Sequence, residues 1–115
     1  MKVDKDVAGY AAAARRHGAA TEVGDSTGAN EAFLELDRCW KRIRVSSDNW
    51  TSSFFELLSD ENPWVRLWAA SHAIQADAER ASSVLEALTS EPGFLGFDAQ
   101  MTLETWRKGE LGERN

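Results

Sequence analysis

One segment limits what this chain can become more than any other. From Pro63 to about Gln75 the sequence is apolar around most of a helical circumference, through Trp64, Val65, Leu67, Trp68, Ala69, Ala70, Ala73 and Ile74. Its start is well marked. Asn62 is a good N-cap, and Pro63 suits the first helical position, where a missing N–H costs nothing. A helix that is apolar nearly all round has to be covered on every side. The rest of the chain must therefore wrap it. With 115 residues, 43% of them hydrophobic, there is enough chain for one real core and no second domain.

The flanking sequence supplies the cover. Val3, Val7, Tyr10 and Ala14 recur every three or four residues and predict a first helix to about Gly18. The stretch Gly24-Asp25-Ser26-Thr27-Gly28 breaks that pattern, with Ser26 or Thr27 as the cap of a second helix. That helix carries Ala32, Phe33, Leu36, Trp40 and Ile43 on its dry side, and Glu31, Glu35, Arg38, Lys41 and Arg42 on its wet side. A third, capped at Ser47 or Asp48, carries Trp50, Phe54, Leu57 and Leu58. Beyond the central helix, Asp77 caps a fifth from Ala78 to Thr89, ended by Glu91-Pro92-Gly93. The last runs from Asp98 as cap to Lys108, with Met101, Leu103 and Trp106 on its stripe and Gly109 to stop it. The expected fold is all-α: about six short helices in three antiparallel pairs. Residues 1–47 form an N-terminal hairpin, 48–109 two further helix pairs, and 110–115 a tail.

Charge and cysteine content remove whole classes of function. Thirteen basic side chains stand against nineteen acidic ones, a net charge of -6. Phosphate binding needs a Lys/Arg surplus, so neither nucleic acid nor an anionic membrane surface is the expected partner. Cys39 is the single cysteine, which excludes an internal disulfide. The segment Met1-Lys2-Val3-Asp4-Lys5-Asp6 alternates charge and lacks the apolar run of a signal peptide, so a cytoplasmic protein is expected.

Catalytic and metal chemistry find little to work with. His17, His72 and Cys39 are scattered single residues, whereas a structural zinc site wants four Cys/His ligands at short spacings. No metal, cofactor or enzymatic activity is expected. Cys39 beside Trp40 reads as a small hydrophobe. Asp60-Glu61 and Glu31/Glu35 read as a helix start and a solvated face, since acid–base work needs carboxylates convergent in a concave site. Two polar groups stand apart because they fall on the apolar helix: His72, and Arg66, whose guanidinium must reach a carboxylate, a carbonyl or solvent. A structural pair with a neighbouring acid is the first expectation for Arg66, with a small-ligand site at Arg66 and His72 as the alternative.

The segment Asn62-Pro63-Trp64-Val65-Arg66-Leu67-Trp68-Ala69-Ala70-Ser71-His72-Ala73 resembles the second helix of a HEAT-type repeat. With Glu91-Pro92-Gly93-Phe94-Leu95-Gly96-Phe97-Asp98-Ala99, Met101-Thr102-Leu103 and Trp106-Arg107-Lys108-Gly109, the chain resembles a small bacterial family of HEAT-like, all-helical proteins, an uncharacterised domain of unknown function. The resemblance implies an α-α superhelix and carries no catalytic residue with it. HEAT-like DNA glycosylases need a basic concave face, and here the corresponding half is acidic.

That acidity is the most informative feature for function. From Asp48 to Glu104 there are ten acids and two bases, a net of -8, while residues 1–47 carry seven acids and eight bases. Such a field steers a basic partner. The expectation is a non-catalytic protein-binding module, of the immunity or antitoxin type, that neutralises a basic toxin-like protein. Its contact patch is placed at Glu56, Asp60, Glu61 and Trp64, acids pairing with Lys/Arg and the indole filling a pocket. The alternative is a HEAT-like scaffold or adaptor, self-associating through Trp50 or the last helix.

Overall fold

The alanines of the first helix decide how the chain begins to pack. In the structure, a computed structural model describing residues 2–46 and 50–109, helix α1 (Lys2–Glu22) buries Ala11, Ala13 and Ala14. These small side chains let it lie close along α2 (Ser26–Ser46), which turns Leu36, Cys39, Trp40 and Ile43 toward it. Then follow α3 (Trp50–Phe54), a 3-10 turn (Phe55–Ser59), α4 (Pro63–Ala73), α5 (Ala78–Leu88) and α6 (Gly93–Arg107). Among the described residues there is no strand, and no helix is long and apolar enough to cross a membrane. The expected all-α class is what the chain adopts. The side chains of Val3 and Trp50, the proposed caps Ser47 and Asp48, and the tail 110–115 lie outside what the structure describes.

Helix α4 is the centre, as its apolar circumference requires. It packs against the 3-10 turn, α1, α5 and α6, and buries Trp64, Val65, Leu67, Ala69, Ala70 and Ala73. Its N-terminus has the predicted cap: the Asn62 side chain accepts from the backbone N–H of Trp64 at 2.8 Å and of Val65 at 3.3 Å. Asp77 caps α5 in the same way, accepting from the N–H of Arg80 at 3.1 Å.

Three local expectations need correction. The cap of α2 is Asp25, whose Oδ1 accepts from Gly28 N–H at 2.9 Å, and Ser26 is already the first helical residue. An aspartate one position earlier reaches the same orphan donors with a charged acceptor, which the N-terminal dipole favours. The third helix does not run on as one element: after Phe54 it tightens into a 3-10 turn that buries Leu57 and Leu58. Finally, α6 starts at Gly93, so Asp98 lies inside it and is not its cap. The reason is burial. Leu95, Gly96, Ala99 and Leu103 fall on one face, and Gly96 sits so close over the Glu91 carbonyl that a Cβ there has no room. Met101, expected on the buried stripe, lies on the outside.

A column of aromatic rings joins the α1–α2 hairpin to the rest. Tyr10, fully buried, meets Phe54 edge-on at 4.9 Å and Trp40 at 6.4 Å. Trp40 stacks on His72 at 4.3 Å between centroids, and His72 leads on to Trp68 at 6.3 Å. The Tyr10 hydroxyl lies 2.6 Å from His72 Nδ1, within hydrogen-bond distance. Tyr10→Phe removes that partner and strands a nitrogen in an apolar setting, for which a loss of about 1–3 kcal/mol in urea-unfolding stability is expected. An unchanged midpoint would mean that water satisfies Nδ1 equally well.

Candidate functional site

The residues singled out from sequence come together in space, but largely to hold one another. Asp60 Oδ1 accepts from the N–H of Asn62 at 2.9 Å, and its Oδ2 lies 3.5 Å from Arg15. Arg66 does reach the same turn, yet not through a carboxylate: its guanidinium donates to the carbonyls of Asp60 at 2.6 Å and Glu61 at 3.2 Å. The alternative of Arg66 and His72 sharing a ligand loses its geometry, because Arg66 is tied to that turn while His72 stands in the aromatic column.

Trp64 is the clearest departure. It is only 6% exposed, its ring lies directly on Gly18 of α1, and its indole N–H donates to Glu22 at 3.2 Å. An indole at a helix start is not thereby at the surface, and here a glycine on another helix makes a seat for it. Trp64 is therefore an internal anchor between α4 and α1. Of the four expected contact residues, Glu56 and Glu61 remain exposed. The hollow at Glu61, about 710 Å³, is lined also by Arg15, Ser59, Asp60, Asn62 and Pro63. Arg15 puts a cation within the supposedly acidic patch.

His72 and Cys39 are packing groups. Burial lowers His72 to about 4, with the Asp37 carboxylate opposing and Arg44 reinforcing that shift. Burial, then the nearby Glu35 carboxylate, raises the Cys39 thiol, and its Sγ lies 3.6 Å from Glu35. A thiol so placed is a poor nucleophile.

The surface of interest lies at the open end of the aromatic column. Trp68 is part-buried there. His17 of α1 meets it edge-on at 5.1 Å, and Phe33 of α2 lies 5.9 Å away. On the α6 side stands Asp98, close enough to His17 that each shifts the other: burial raises Asp98 and His17 opposes it, while burial lowers His17 and Asp98 opposes that. Next to Asp98 along α6 come Phe94, Phe97 and Met101, exposed by 55, 60 and 45%, and Phe33 is exposed by 42%. Exposed large apolar groups gathered on one face mark binding surfaces more than scattered ones do.

This group was missed in the sequence for a specific reason. Starting the last helix at Asp98 left Phe94 and Phe97 in a loop. Extended back to Gly93, the helix has two apolar stripes: Leu95-Ala99-Leu103 inward, and Phe94, Phe97 and Met101 outward, at spacings of three and four residues.

Among the described residues no cluster of three or more His, Cys, Asp and Glu side chains is arranged to hold a metal ion. Compared with protein families, with curated proteins and with solved structures, the chain matches none.

Proposed function

We propose that the protein is a non-catalytic binding module that captures a basic protein, in the manner of an immunity or antitoxin protein, and that it acts in the cytoplasm. The carrying observation is the outward apolar stripe of α6, Phe94, Phe97 and Met101, in the half of the chain that carries the negative charge. Apolar anchors supply affinity when desolvated, and the surrounding acids raise the rate of encounter with a basic surface. The binding face so proposed is the outward face of α6, with the exposed Glu56 and Glu61 contributing to the field and not to the contact. The HEAT-like family resemblance belongs to the same proposal, since helical repeats commonly serve as binding surfaces.

Affinity purification of the full chain from its native host at low salt tests this reading. A single basic protein in near-equal amount is expected in the eluate, and Phe94→Ser with Phe97→Ser should abolish its recovery. Glu56→Lys with Glu61→Lys should instead slow association, an effect that fades at about 0.5 M salt because screening there acts within a few ångströms. A partnerless eluate, with the chain itself running as a dimer, would replace the dedicated binder by the self-associating HEAT-like scaffold.

A further inference from the structure

Two helices present an outer face that no other described element covers. Helix α2 packs on α1 and α3, and α6 packs on α5 and α4. On the far side of α2 stand Leu34 and Val45, exposed by 61 and 83%, with the exposed bases Arg38 and Lys41 between them at steps of three and four residues. On the far side of α6 stand Phe94, Phe97 and Met101, with Asp98 and Glu104 at the edges of the stripe. The two faces differ in sign. Helix α2 has four bases and no acid from Arg38 to Arg44, whereas α6 belongs to the acidic half of the chain.

The charges run along both helices in the same sense. In α2 the acids Glu31, Glu35 and Asp37 precede the bases, and in α6 Asp98 and Glu104 precede Arg107 and Lys108. Laid antiparallel, the two helices meet opposite charge at both ends; laid parallel, they meet like charge. The spacing agrees as well. Lys41 and Glu31 lie four and fourteen residues before Val45, and Asp98 and Lys108 lie four and fourteen after Phe94. Setting Val45 against Phe94 therefore brings Lys41 to Asp98 and Glu31 to Lys108. The ion pairs that Arg38 and Lys41 make with Glu35 and Asp37 in their own helix are exposed, and such pairs exchange partners at little cost. A phosphate chain on α2 would answer the bases and leave Leu34 and Val45 in water. Pairing α6 with a second α6 would set two acidic halves face to face. We infer that the outer face of α2 in one copy of the chain docks antiparallel on the outer face of α6 in a second copy. The contact joins unlike surfaces, and it covers the α6 face whenever no other protein occupies it. This goes beyond the binding-module reading and does not depend on it.

Sedimentation velocity of the full chain tests it. One helix pair is a small interface, so the association is weak and reversible. The weight-average sedimentation coefficient should rise between about 10 μM and about 1 mM chain at low salt, and return to the monomer value at about 0.5 M salt. Leu34→Ser with Val45→Ser, and Phe94→Ser with Phe97→Ser, should each stay monomeric alone; all four positions are exposed and no charge is altered. Mixed, the two variants should associate one to one, because the first retains the α6 face and the second the α2 face. A wild-type chain that stays monomeric, a variant that self-associates alone, a mixture that does not associate, or an association that salt strengthens overturns the inference. The two readings fail separately. A monomeric chain that still captures a basic protein leaves the binding module standing. Association of α2 with α6, with no partner ever captured, leaves the contact between copies and removes the module.

Discussion

Between pH 6.5 and about 4 the folded protein is expected to lose roughly 3 kcal/mol of stability through His72 alone. The sign follows from where the proton prefers to go. In the unfolded chain the imidazole is solvated and takes a proton near its ordinary value of 6.5. In the fold, burial in the aromatic column holds protonation off until about 4. Above 6.5 the ring is neutral in both states and nothing is lost. Below it, acid stabilises the unfolded state first, and the loss levels off once the folded ring also protonates. The shift of His17 runs in the same direction, so a titration resolved by residue is the proper check. The His72 ring protons should titrate with a midpoint near 4, and the wild-type loss between pH 7 and 4.5 should exceed that of His72→Phe. A His72 midpoint near 6.5 would mean that water reaches the ring and the column is open.

The second large effect concerns Trp64. Trp64→Ala is expected to remove about 3–5 kcal/mol, in line with truncating a well-buried indole. The side chain fills the space that Gly18 leaves, and it ties α4 to the end of α1 through Glu22. The reverse substitution probes the same contact from the other side. Gly18→Ala places a methyl group where the indole ring lies, and overpacking of that kind costs about 1–3 kcal/mol. Alanine's better helix propensity, worth about 1 kcal/mol over glycine, works against that loss and does not cancel it. Urea unfolding followed by circular dichroism reads both variants. A loss under about 1 kcal/mol for Trp64→Ala would place the indole at the surface, where the sequence reading had it.

What the sequence revealed, and what it hid, divides along the range of the interactions involved. The Asn62-Pro63 start of α4, the Asp77 cap of α5 and the apolar circumference of the central helix all depend on neighbours within a few residues. They were readable without coordinates. The fate of Trp64 depends on Gly18 and Glu22, more than forty residues away, and no local pattern carries that information. The start of α6 was hidden by a genuine conflict: Glu91-Pro92-Gly93 is a strong stop signal, and only the demand to bury Leu95 and Ala99 shows that a new helix begins there at once. That single displaced boundary also concealed the outward phenylalanines. The acidic excess was plain in the sequence. Its position was not, because the Asp60 carboxylate is engaged by Arg15 and by the Asn62 N–H.

The contacts that fasten the hairpin to the remainder also set the order of assembly. Helices α1 and α2 are adjacent in sequence and pack along each other, and α4, α5 and α6 likewise pack on sequence neighbours. Such contacts close small loops and form early. The fastenings between the two groups are of another kind: Tyr10 and His72 are 62 residues apart, Arg15 and Asp60 45, Glu22 and Trp64 42. Each closes a long loop. The slow step of folding is then the docking of two nearly finished helical pieces. Until it occurs, both pieces expose the rings of the column, and the chain passes through its greatest exposure to aggregation just before it becomes one molecule.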